Sequence, residues 1–198
     1  IIGFATALFV LFLSVLFGTL AGYFGGVIDK VVVTFINFLL IVPSLLLMLL
    51  LSPFLQGVHW ILMVPLLGAF SWMITARVLR ALTQSLVNTE YVQAARFMGV
   101  PHHRIIRRHI IPNISSWMII DTTLGVGAAV LAETGLSFLG FGILYPNFSL
   151  GSVLQNYNIA HPHTWVFAAA ILALLVISIN MVGEALRDAL DPTSGRGH

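Results

Sequence analysis

The chain has 198 residues, 59% of them apolar and 8% charged, with a net charge of +2 and a mean hydropathy of +1.00. Soluble domains carry about a quarter charged residues, so this composition excludes a water-soluble globule and marks an integral membrane protein. Cysteine is absent, which rules out disulfides, thiolate metal sites and thiol catalysis.

A helix needs roughly 20 apolar residues to cross a hydrocarbon core of about 30 Å, and five runs meet that length. The first covers residues 1–24 and stops at Gly25-Gly26, with Asp29 and Lys30 the first charges. It lacks a charged leading region and is not expected to be a signal peptide. The second covers residues 31–55 and is interrupted by Pro43; the third covers residues 60–82, carries Pro65 and ends in Arg77 and Arg80. Kinks are predicted at both prolines. Arg77 and Arg80 are expected to snorkel to the headgroups.

A polar island follows. Six of the nine Lys and Arg residues lie at the end of the third run (Arg77, Arg80) or between it and the fourth (Arg96, Arg104, Arg107, Arg108). Their clustering between two spans argues against nucleic-acid binding and marks that side as cytoplasmic. Thr89 is a candidate N-cap for a short helix from Glu90 to Met98, with Glu90 on the positive end of its dipole. Tyr91, Ala94, Ala95 and Met98 fall at helical spacing and form one apolar face, while Gln93 and Arg96 point elsewhere. Gly99 stands where a left-handed C-terminal residue is needed. Pro101 opens a second short helix through His102 to Ile110, and Pro112 closes it before the next span. The result is a helix-Gly-helix elbow. Its periodicity alone fits two roles: a knob gripped by a cytoplasmic partner, or an amphipathic hairpin that lies on anionic headgroups. His102, His103 and His109 do not make a metal site, since adjacent histidines cannot face one ion from a helix and no other ligand is near.

The fourth run covers residues 114–141 and contains Asp121 and Glu133. An ionised carboxylate within a span costs at least about 2.5 kcal/mol, so both must face protein or water. Twelve residues separate them by about 120°, so they need not share a face. For Asp121 a pore-lining or partner-facing role and a structural one stand level; Glu133, near the outer boundary, reads as structural first. Gly125, Gly127, Ala128 and Ala129 make a small-residue face suited to packing or to lining a path. The stretch from 142 to 163 has no Lys or Arg and belongs outside. The fifth run covers residues 164–186 and leads to a cytoplasmic tail. Trp60, Trp72, Trp117 and Trp165 are expected near span ends.

Several motifs together carry a resemblance. Glu90, Ala94, Ala95, Gly99, His109, Pro112 and Asn113 have the spacing of the cytoplasmic Glu-Ala-Ala loop of ABC importer permeases. Gln93 departs from the glutamate common before the Ala pair, and Ile111 from the usual Leu. Ala21 to Gly26, Val42 to Leu45, Leu131 to Gly142 and Gly183 to Pro192 also resemble the C-type subunit of the dipeptide, oligopeptide and nickel branch; Leu150 replaces a common Trp. The chain is therefore identified as a member of that permease family.

The resemblance implies an all-α polytopic bundle of the methionine-permease type. It implies one permease domain over residues 1–198, with a coupling loop at 84–113, an external loop at 142–163, and five spans of an expected six, the missing one upstream. It assigns ATPase coupling to Glu90, Tyr91, Ala94, Ala95, Arg96, Gly99, Pro101, His109, Pro112 and Asn113. The implied partners are a second permease subunit in a heterodimer, two cytoplasmic ABC ATPases and an extracytoplasmic substrate-binding protein, in the inner or plasma membrane of a bacterium or archaeon. No phosphate-cradling loop with Lys-Ser/Thr occurs, so the chain is expected to be no enzyme and to bind no cofactor, ATP and Mg being used by the partner ATPases. The cargo implied is a di- or oligopeptide, with nickel or another small solute as the alternative. An ion-gradient-driven carrier is a weaker rival, since only Asp121 and Glu133 offer themselves as coupling carboxylates. An intramembrane serine hydrolase lacks its Gly-x-Ser-x-Gly.

Overall fold

The computed structural model describes residues 1–51, 54, 60–143, 147–156, 158 and 162–190. The 56–59 loop, residues 144–146, 157 and 159–161 of the 142–163 loop, and the tail from 191 lie outside the described residues. Among the described residues every regular element is helical: α1 (Ile2–Phe24), α2 (Gly26–Ile41), α3 (Ser44–Leu51), α4 (Met63–Val87), α5 (Glu90–Phe97), α6 (His102–Ile105), α7 (Ile111–Phe138), α8 (Leu150–Gln155) and α9 (Pro162–Leu190).

Pro43 behaves as predicted. Val42 before it is extended, as the proline ring requires, and α2 and α3 meet at 76° across the break. Pro65 does not kink its helix. It falls in the first turn of α4, where a backbone N–H has no partner inside the helix and its loss costs little.

Pro112 also differs from expectation: it opens a helix. The arm after Gly99 is continuous from His102 to Phe138, 37 residues long, with a π-helical stretch at Ile106–Ile110 just before Pro112. The wider π turn absorbs the donor that Pro112 lacks, so the elbow's second arm is the end of a span instead of a separate short helix.

Three single helices, α1, α9 and the His102–Phe138 unit, are long and apolar enough to cross a membrane, and the bent α2–α3 pair makes a fourth candidate. The third predicted run, now α4, is 25 residues long but less apolar. It packs along α1 and also touches α2 and α7, so protein replaces lipid around much of its surface.

Close approach of α1 and α4 comes from Gly18 and Gly22. A Cβ built on Gly18 would lie 2.5 Å from the Ala76 carbonyl oxygen, and one on Gly22 2.6 Å from that of Arg80. This is small-x-x-x-small packing, the device that lets two backbones touch in a membrane. Ser14, one turn earlier, donates to the Trp72 carbonyl at 2.9 Å. Trp72 is buried in mid-helix with its ring 5.0 Å from that of Phe17, so it belongs to the core and not to an interfacial belt. Arg77 and Arg80 have partners within the chain: Arg77 donates to the Asn37 side chain, and Arg80 makes a two-pronged ion pair with Asp29, its Nη2 2.6 Å from Oδ2, so α4 is tied to α2.

Candidate functional site

The polar island folds as the predicted elbow, held by a core of its own. Tyr23 from the end of α1, Leu79 of α4, Val92 and Ala95 of α5, Ile105 of α6, then Ile110 and Ile114 pack as one buried cluster. α5 ends at Gly99, whose φ is +73°. The Gly99 N–H bonds the Arg96 carbonyl and the Val100 N–H the Ala95 carbonyl at 3.1 Å, the paired closure of a glycine-capped helix, with Val100 turned into the same core. Thr89 occupies the N-cap position, but its hydroxyl donates to the Leu86 carbonyl at 2.6 Å and leaves the α5 N-terminus without a side-chain cap.

The alanine pair divides between two faces. Val92 (0% exposed) and Ala95 point into the elbow core. Tyr91, Ala94, Phe97 (91% exposed) and Met98 (76% exposed) point away from the chain together with Glu90. The expected stripe of Tyr91, Ala94, Ala95 and Met98 is thus corrected: Ala95 anchors the helix, Phe97 joins the outward face, and Val92, not assigned from sequence, does the anchoring with Ala95. At helical spacing 92, 95 and 99 are as periodic as 91, 94, 95 and 98, and periodicity cannot say which stripe faces inward.

Arg96 does not join the outward face either. Its Nη2 donates to the Tyr23 backbone carbonyl at 3.0 Å and its guanidinium lies 4.3 Å from the Tyr23 ring centre. The Tyr23 hydroxyl is in turn 2.8 Å from His102 Nδ1. Tyr23, Arg96 and His102 therefore clamp both arms of the elbow to the end of α1. Pro101 precedes α6 in extended conformation. The His109 ring sits 6.3 Å from that of Tyr91, and Asn113 Nδ2 donates to the His109 carbonyl at 2.6 Å, giving that carbonyl a partner beside Pro112. Arg104, Arg107 and Arg108 are exposed along this arm.

Asp121 and Glu133 lie at different sites. Glu133 is 8% exposed and accepts from Ser137 Oγ at 2.6 Å, while Ser137 Oγ accepts from the Ile143 N–H at 3.0 Å, a network that closes the end of α7. Asp121 accepts from Thr75 Oγ1 of α4 at 3.1 Å. It borders a cavity of about 330 Å³ among α1, α4 and α7, together with Thr6, Ser71, Thr75, Thr122 and Gly125. The small-residue face divides as well: Gly125 and Ala128 border this cavity, while a Cβ built on Gly127 would lie 3.4 Å from the Ile179 side chain of α9. A larger cavity of about 560 Å³ on the far side of α7 is walled mainly by Phe4, Leu8, Met118, Ile119, Val126 and Val182 and offers little to orient a polar solute.

The description "Binding-protein-dependent transport system inner membrane component" matches residues 14–195 of the chain. The oligopeptide transport system permease protein OppC of Mycobacterium tuberculosis (strain H37Rv) is 45% identical over 181 residues, which are 89% of this chain and 62% of that protein. The dipeptide transport system permease protein DppC of Bacillus subtilis is 36% identical over 195 residues, 96% of this chain and 61% of that one. The chain thus spans about 62% of the length of such relatives. In fold it is similar to a chain of the MetNI methionine ABC transporter solved in inward-facing conformations, with a TM-score of 0.65 at 18% identity, covering 96% of this chain and 94% of that one.

Proposed function

Because the chain belongs to the family of binding-protein-dependent transport system inner membrane components, we propose that it is one permease subunit of an ATP-driven peptide importer. Its helices form half of a translocation path for di- or oligopeptides, and a second, related permease supplies the other half. An extracytoplasmic binding protein delivers the peptide. Two cytoplasmic ATPases consume ATP with Mg and drive the change of access. The cargo class follows the relatives named for oligopeptide and dipeptide transport.

The observation that carries the reading is the outward face of α5: Phe97 and Met98 are almost fully exposed on a helix whose other face is locked into a core and clamped to α1. An apolar knob on a rigid base is what a groove on a moving partner can push, and the clamp at Tyr23 passes that push into α1. Ala94 allows close approach, and Glu90 and Tyr91 flank it. The elbow faces the cytoplasm, where its arginines meet the positive-inside rule.

The test is to co-express the chain with its companion permease, ATPases and binding protein and reconstitute the assembly in liposomes. Peptide-loaded binding protein should stimulate ATP hydrolysis. Phe97→Asp should abolish that stimulation and release the ATPases while the permease pair still assembles; full stimulation in this variant would refute the docking role of α5.

A further inference from the structure

The cavity at Asp121 contains polar groups that the fold leaves unused. Asp121 is about midway along the spans, and Oδ2 takes the Thr75 hydroxyl while Oδ1 has no hydrogen bond among the described residues. Two hydroxyl oxygens on the same walls, Thr6 Oγ1 and Thr122 Oγ1, are buried and have no partner among the described residues. Thr6 is only 1% exposed, so water on the outer surface does not satisfy it. A helical Thr can usually donate to its own preceding turn, and each orphaned buried hydroxyl costs about 1–3 kcal/mol. No Lys, Arg or His lines the cavity to neutralise the carboxylate. The site therefore presents a carboxyl group with no basic neighbour inside an apolar frame, open on the side where Ile74 and Leu124 are exposed.

We propose that this cavity receives the α-ammonium group of the peptide during transit, with Asp121 as its counter-ion. The inference rests on the peptide-import reading above. An ammonium group has three donors and must shed water to enter an apolar path. Asp121 Oδ1, which makes no hydrogen bond among the described residues, replaces part of that water with a carboxylate acceptor. Every free peptide carries this group whatever its side chains, so a site reading the ammonium alone suits a path that leaves selectivity to the binding protein. Thr75 is a positioning residue here: it holds the carboxylate through Oδ2 and leaves Oδ1 to the cargo. A small inorganic cation has the same chemistry, and the test must separate the two.

The experiment measures uptake of the dipeptide alanylphenylalanine by liposomes holding the whole assembly, alongside ATP hydrolysis stimulated by loaded binding protein. Asp121→Asn should lower uptake about tenfold or more while stimulated hydrolysis continues, because docking and the elbow are untouched. Thr75→Val, which breaks the Asp121 tether but keeps the carboxylate, should cost much less. Unchanged uptake in Asp121→Asn would overturn the proposal, and so would an equal loss in Thr75→Val, which would make the carboxylate a structural strut. If Asp121→Asn fails to assemble, the unmodified assembly decides: N-acetyl-alanylphenylalanine, which lacks the ammonium, should be taken up about tenfold less per ATP hydrolysed than the free dipeptide, and equal uptake would overturn the proposal. Replacing sodium and potassium salts with choline chloride should leave wild-type uptake unchanged. A dependence on Na⁺ or K⁺ that disappears in Asp121→Asn would give the site to a metal cation and overturn the peptide assignment. Absence of peptide-stimulated hydrolysis in the wild type would instead sink the import reading itself, and is thereby told apart from a failure of the ammonium site.

Discussion

Gly99 has φ +73° and open space where a side chain would go, so substitution there meets no neighbour and the whole penalty is backbone strain of about 1–2 kcal/mol. Gly99→Val should therefore insert and assemble but lose peptide-stimulated ATP hydrolysis, whereas Gly99→Asn, which enters the left-handed region more readily, should keep most of it. Equal loss in both would point to a contact made by Gly99 itself instead of its dihedral. At Tyr23, Tyr23→Phe removes the hydroxyl that meets His102 and keeps the ring under Arg96. The lost bond of about 1 kcal/mol should speed amide exchange in α5 roughly fivefold, measured by mass spectrometry on the assembled permease. Unchanged exchange would show that the clamp does not hold the elbow. Gly99 was legible because its requirement is local. The Tyr23 clamp was not, since its members stand 73 and 79 positions apart in the chain.

Among elements, the α1–α4 contact sets the frame on which the elbow and the cavity are built. The small residues at Ser14, Gly18 and Gly22, four apart, could have announced it; the small-residue face predicted on α7 is a lesser contact that also borders the cavity. Gly18→Val should force α1 away from a carbonyl that cannot rotate aside and cost about 1–3 kcal/mol or more, read as a lower unfolding temperature in detergent. Gly25→Val, where nothing lies within 4 Å, should act by dihedral strain alone and leave the α1–α4 pair intact in disulfide-trapping between the two helices. For the pair that ties α4 to α2, Arg80→Ala should destabilise by about 1.5–3 kcal/mol, and adding Asp29→Ala should recover part of the loss because no unpaired carboxylate then remains. No recovery in the double variant would mean that the two side chains act independently. Prolines were readable in the sequence as local perturbations but not as geometry: Pro43 breaks a helix, Pro65 starts one, and Pro112 is accommodated by a π turn, because the outcome depends on which carbonyl stands one turn earlier.

For the whole molecule, the proposed orientation sets the elbow and the 142–163 loop on opposite sides of the membrane. The absence of native cysteine makes this directly measurable. Met98→Cys and Phe148→Cys, both at exposed positions, should react with an impermeant maleimide from opposite faces of sealed vesicles. Labelling of both from one side would overturn the topology. The membrane class, the helical architecture, the position of the elbow and its glycine stop were determined by the sequence itself, because apolar run length, charge placement and a left-handed turn are local properties. The tertiary structure alone decided which stripe of α5 faces inward, that Arg96 and Arg80 bind within the chain, and that Thr6, Thr75 and Asp121 meet in one cavity. Those facts depend on how α1, α4 and α7 cross, and helical periodicity places a residue on a face without saying what that face meets.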